Sequence, residues 1–157
     1  MTMDLLRRAL HVTVPLVIVI AIPSQALAAP VAVSLAGKTH LASVSSPFVL
    51  NDIGTIKGSP IGSGTIALTY TLRPKLGTAL TTFTITNARG TVSGKAVSSY
   101  AVTRLRITFS GAAKLTGGTA AYAGITSGPL EFNAVHSVTG KREAIKLAGR
   151  AVTRSRT

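Results

Sequence analysis

Beyond the first 29 residues, the side chains able to carry proton-transfer or metal chemistry are three carboxylates (Asp52, Glu131, Glu143) and two imidazoles (His40, His136). Acid–base catalysis by carboxylates needs two of them in different environments, so that one holds a proton the other has lost. Here the acids fall in three separate segments. Asp52 sits in a loop-like Asn-Asp-Ile-Gly stretch, Glu131 alternates with apolar residues and so faces away from them, and Glu143 ends the charged turn Gly140-Lys-Arg-Glu143. A hydrolase triad would draw on His40 or His136, one of these acids and an exposed serine. No G-x-S-x-G elbow accompanies them, Gly62-Ser-Gly64 being only a fragment of one. Catalytic residues are therefore left unassigned. The histidines and acids show no metal-ligand spacing, so no metal site and no cofactor is expected. With no cysteine in the chain, thiol chemistry and thiolate-held zinc or iron–sulfur sites are excluded. His136 shares the apolar register Leu130, Phe132, Ala134, His136, which reads as a hydrogen-bonded histidine at a sheet rim.

Anion binding has better material. Arg104 and Arg106 are two apart in a segment that alternates as a strand, which would place two guanidinium groups on one face roughly 7 Å apart. They are the candidate anion-binding pair, set against a plainly solvated strand face. Phosphate-loop motifs fail: Gly37-Lys-Thr39 lacks the glycine five residues upstream, and Gly90-Thr-Val-Ser-Gly-Lys-Ala96 is one residue short and ends in alanine. Phe83, Phe109 and Phe132 all lie on apolar faces, so no stacking platform for specific nucleic-acid binding is expected.

The 157-residue chain opens with the features of a secretory signal. Arg7 and Arg8 precede an apolar run from Val12 to Ile22, and Ala26-Leu-Ala28 supplies small residues before a cleavage site between Ala28 and Ala29. The expected organisation is a signal peptide over 1–28 and one domain over 29–157, exported to the periplasm, envelope or medium. An uncleaved N-terminal anchor is the alternative, which Pro15 and Pro23 weaken. Once Arg7, Arg8 and Asp4 are removed, fifteen basic and three acidic residues remain, a formal net charge of +12. Such a field gathers anionic partners, an envelope polyanion among them, and also suppresses self-association. A basic, mobile C-terminal end is expected from Arg150 to Thr157.

The elements that must position these residues are strands. Ile66, Leu68, Tyr70 and Leu72 alternate with Thr65, Ala67, Thr69 and Thr71, the pattern of a half-buried strand. The same period recurs over 79–87, more weakly over 91–99, and again over 100–113, where Leu105, Ile107 and Phe109 are read as inward. It returns over 130–136 and 145–151, while 31–35 and 40–44 read as two short strands. No stretch after the leader has helical spacing. The reading is an all-β fold, a single antiparallel barrel of about eight strands, with a β-sandwich as the alternative.

Between two of these strands lies Thr116-Gly-Gly-Thr-Ala-Ala-Tyr-Ala-Gly124, with Gly128 soon after. It resembles the T-G-G-[ST]-x-x-[FY]-x-G corner of allene oxide cyclases, and is similar to a G-G-T-G-x-[FY] segment of dirigent proteins and small secreted bacterial proteins of unassigned function. The matching residues are Thr116, Gly117, Gly118, Thr119, Tyr122, Gly124 and Gly128. Ala120 departs from the pattern, standing where the bacterial and dirigent versions usually carry a third glycine. The resemblance implies an eight-stranded barrel with a narrow interior, trimeric in the plant relatives. It does not carry their activity over, since none of the three acids matches a family catalytic position. The functional expectation is an exported, non-catalytic barrel that binds a small apolar ligand inside or an anionic polymer outside. The alternatives are a cyclase- or isomerase-like enzyme, which polar groups in the interior would favour, and a purely structural envelope protein.

Overall fold

The computed structural model describes residues 29–153. The leader 1–28, with Ala28, and the tail residues Arg154 and Arg156 lie outside the described residues, while Ala29 opens them. Nine strands follow in order: β1 (Pro30–Ser46), β2 (Val49–Ser59), β3 (Gly62–Arg73), β4 (Thr78–Asn87), β5 (Gly90–Val102), β6 (Arg106–Gly118), β7 (Thr126–Ser127), β8 (Leu130–Ser137) and β9 (Glu143–Val152). All pair antiparallel. Neighbours run from β1 through β6 to β8 and β9, and β9 returns to β1 over ten paired positions, from Pro30↔Val152 to Thr39↔Glu143. That last pairing closes an eight-stranded barrel rather than a sandwich. Two-residue β7 adds to β9 opposite Ala151 and Val152, continuing the edge that β8 pairs from Ile145 to Ala148. Closure leaves no long strand edge unpaired.

The interior is built by the period-2 pattern. Leu35, Ile56, Ile66, Leu68, Phe83, Ile85, Phe109, Leu130, Phe132, Ile145 and Leu147 all point inward and are buried. Their neighbours in sequence, largely Thr, Ala, Ser and Lys, form the outer wall. Several sequence readings are corrected. Segments 31–35 and 40–44 belong to one seventeen-residue strand, β1. Asn51-Asp-Ile-Gly54, read as a loop, lies inside β2, and Asp52 points into the core. The strand read over 100–113 is interrupted at Thr103–Leu105, so Leu105 is exposed and Arg104 sits in a connection, with Arg106 opening β6. Arg150, placed in a loose tail, is a β9 residue paired with Ala32.

The two ends of the barrel differ. At one end the diglycine corner folds over the opening. Thr119 N–H donates to Thr91 O at 2.9 Å, Ala121 N–H to Arg89 O at 3.0 Å, and the Thr91 and Thr119 hydroxyls lie 2.8 Å apart. Buried Tyr122 donates its hydroxyl to Ile61 O at 3.1 Å and accepts from Asn87 Nδ2 at 2.8 Å, with the Arg89 guanidinium 5.5 Å from its ring centroid. Two glycines of the corner are demanded by this geometry. A Cβ at Gly118 would press on the Tyr122 and Thr91 carbonyls, and Gly124 holds φ +75°. At the other end lie the β1–β2 turn, a 3-10 turn over Pro74–Leu76, the connection at 103–105 and the β8–β9 loop at 138–142.

Ala120, the departure from the glycine-rich pattern, has φ 50° and is the one non-glycine residue in the left-handed region among the described residues. That conformation strains any residue with a Cβ by about 1–2 kcal/mol. Ala120→Gly should therefore raise unfolding stability by about 1 kcal/mol, after allowing for the freer unfolded chain. Chemical denaturation of both proteins reads the difference.

Candidate functional site

Six polar side chains are buried within the barrel near its uncapped end. They are Thr39 on β1, Asp52 on β2, Tyr70 on β3, Thr81 on β4, Ser98 on β5 and His136 on β8. Strand register brings them together: Tyr70 is opposite Thr81, Leu50 next to Asp52 is opposite Tyr70, and Ile107 is opposite His136. The mouth is one or two inward positions away along each strand.

Asp52 and His136 form the centre. His136 Nδ1 lies 2.9 Å from Asp52 Oδ1 and 3.1 Å from Oδ2, across 84 residues of sequence, and both side chains are 1% exposed. A carboxylate can only accept, so Nδ1 carries the hydrogen and Nε2 is the nitrogen left for a further partner. The pair bridges β2 and β8, which are not neighbours in the barrel. Tyr70 stacks on Phe109 with centroids 4.4 Å apart and planes 12° from parallel. His136 meets Tyr70 edge-on at 6.3 Å, and Tyr100 flanks Phe109 at the same distance.

Four of these groups have no partner. The hydroxyls of Thr39, Tyr70, Thr81 and Ser98 are buried without a hydrogen bond from the protein. An unpaired buried hydroxyl costs about 1–3 kcal/mol, so four at one level concentrate an unusual cost in one part of the interior. Burial, with the negative charge of Asp52 adding to it, pushes the Tyr70 phenol far above its ordinary value of 10.0. Tyr70 is thus a fixed neutral donor. The level offers one carboxylate, one imidazole nitrogen and four hydroxyls against an aromatic wall. That set can orient a polar substituent and move a proton. No group of three or more His, Asp or Glu suited to a metal occurs among the described residues.

The other candidates from sequence are dispersed. His40 faces outward, into a groove on the outer wall with Ile53, Thr55 and Arg142. Glu131 is exposed on the outer wall and bonded by Asn133 at 2.7 Å. Glu143 begins β9 and accepts from Arg106 Nε at 2.9 Å, so Arg106 has a carboxylate partner that Arg104 lacks in this contact. Thr116, Gly117, Gly118, Thr119, Tyr122, Gly124 and Gly128 gather at the capped end, far along the strands from Asp52 and His136. The inward register identified His136 in sequence, but Asp52 was hidden by its turn-forming neighbours Asn51 and Gly54. Counting by twos from Leu50 to Ile56 is the signal that finds it.

No protein family matches the chain, and no curated protein matches it either. Among solved structures, a pyocyanin demethylase is similar at 18% identity with a TM-score of 0.35, covering 74% of this chain and 97% of that one.

Two outcomes follow. Asp52→Ala strands a buried imidazole and should cost about 3–5 kcal/mol, whereas Glu143→Ala, which breaks a pair with a well-exposed arginine, should cost about 1 kcal/mol or less. Urea unfolding of the two variants compares them. For Tyr70, both folded and unfolded chains keep the phenolic proton below pH 10, and above it the unfolded chain alone sheds it. Stability should fall as pH rises past about 10, by about 1.4 kcal/mol per unit more in the parent than in Tyr70→Phe. Unfolding curves at pH 8 and pH 11 test this.

Proposed function

We propose that the protein is an exported barrel that binds a small, largely apolar ring compound, held by one polar substituent at the Asp52–His136–Tyr70 level. The single observation carrying this reading is the set of four unpartnered hydroxyls at one interior level, beside a stacked aromatic wall and close to the uncapped mouth. An eight-stranded barrel is wide enough for its own side chains and at most one small guest. Export is part of the proposal and rests on the Arg7–Ala28 leader. A relationship to the allene oxide cyclase and dirigent-like barrels is supported by the corner residues and by the strain at Ala120, where the dirigent and small bacterial versions usually carry glycine. Trimeric assembly belongs to the same proposal.

The Asp52–His136 contact favours a second reading, an isomerase-type enzyme. Asp52 would orient the ring, Nε2 would take a proton from carbon, and the neutral Tyr70 hydroxyl would donate to the developing oxyanion. Interior polar groups are what separates this reading from a purely apolar carrier.

The chain from Ala29, titrated with 2-naphthol and with naphthalene, tests the binding reading by fluorescence. One 2-naphthol per barrel is expected, bound about tenfold tighter than naphthalene, which lacks the hydroxyl. Tyr70→Phe should keep the fold and erase much of that preference. Absence of saturable binding by either probe would overturn the proposal. For the enzymatic reading, deuterium uptake from solvent into 2-tetralone should run faster than in buffer and drop to the buffer rate in His136→Gln.

A further inference from the structure

We infer that the uncapped rim of the barrel docks on an anionic lipid surface. Of nine large apolar side chains exposed among the described residues, six lie at this one end: Val44, Phe48, Leu76, Val102, Leu105 and Val138, from 49% to 67% exposed. Phe48, Leu76, Leu105 and Val138 sit on the four connections that ring the mouth, and Val44 and Val102 lie in the strand ends beside them. The connections are tied to neighbouring strands, and two of them to each other, through their backbones. Leu72 N–H donates to Phe48 O at 2.8 Å, Tyr100 N–H to Gly77 O at 3.3 Å, and Val138 N–H to Leu105 O at 3.2 Å. The apolar residues are therefore displayed by a fixed rim. Phe48 and Leu76 share a groove of about 500 Å³ with Arg73, Pro74 and Lys75.

Cations interleave with them. Arg73, Lys75, Arg104, Arg106, Lys141 and Arg142 are exposed at the same end, and Glu143, already paired with Arg106, is the one acid near them apart from buried Asp52. This combination selects the occupant. Two copies placed rim to rim would oppose six cations with six, which argues against a self-dimer through this face. A hydrated polyanion would satisfy the cations and leave six apolar side chains in water. A bilayer of anionic lipid satisfies both: each Lys or Arg near its surface contributes about 1 kcal/mol, and apolar side chains enter the headgroup boundary. The mouth of the barrel would then face the lipid. The inference does not depend on the interior being a ligand site.

The barrel closes within residues 30–152, so the chain from Ala29 is the form to test. Co-sedimentation with vesicles of phosphatidylcholine alone and with 30 mol% phosphatidylglycerol is the measurement. Binding to the anionic vesicles is expected to be at least about tenfold stronger, and to weaken with added salt. Phe48→Ser with Leu76→Ser, both at exposed sites, should weaken it about tenfold or more, and Lys75→Glu with Arg104→Glu should do the same. Lys95→Glu with Lys114→Glu, on the outer wall, should have the smaller effect. Three results would each overturn the inference: equal binding to both vesicle types, loss of binding as large from the wall pair as from the rim pair, or unchanged binding in the Phe48/Leu76 variant. In the last case soluble polyglycerol phosphate should compete fully, identifying an anionic polymer as the partner. Because 2-naphthol titration reads the interior, the two proposals fail separately.

Discussion

The return of β9 to β1 is the constraint on which everything else in this molecule depends. Ten paired positions turn a meander of strands into a ring, and a ring has an inside. Once it closes, every second residue of eight strands is committed to an enclosed space from which water is largely excluded. Hydrocarbon side chains gain from that commitment, by about 25 cal/mol for each Å² of apolar surface removed from water. Polar ones lose unless they find partners within reach. The chain places six polar residues inside anyway and pairs two of them, Asp52 and His136, so tightly that neither is exposed.

That pair ties strands on opposite sides of the cylinder. The remaining interior hydroxyls keep their cost, and they occur at a single level. Hydroxyls left over by careless packing would be scattered along the interior. Concentration beside Tyr70 and Phe109 makes the level a built feature, and the proposed binding of a guest with a polar group rests on it. The strongly raised phenol of Tyr70 belongs to the same logic, because a neutral donor beside a carboxylate is the state that low dielectric favours.

The two ends of the barrel are built differently. The glycine-rich corner closes one with a lattice of backbone bonds and the buried Tyr122, and it holds the strain at Ala120 far from the polar level. The other end carries the mouth, the apolar rim and a concentration of positive charge. The fold thus separates the buried, hydrogen-bonded residues of the corner from the exposed apolar and basic residues of the rim.

Much of this was legible in the linear chain. Alternation along Ile66–Leu72, Phe83–Ile85, Leu130–His136 and Ile145–Leu147 fixes which side chains face inward, because successive side chains of an extended strand must point to opposite faces. Glycine spacing around Thr116–Gly128 marks the corner, and the scarcity of acids makes the field positive. Composition misled where turn-forming residues occur inside strands: Asn51, Asp52 and Gly54 look like a loop, and Leu105 looks inward although the chain turns there. Sequence alone determined an all-β barrel with a basic exterior and an inward-facing His136. Only the tertiary structure decided that Asp52 meets it, because closing a ring joins positions 84 residues apart, and local pattern carries no information about which distant strand lies across the interior.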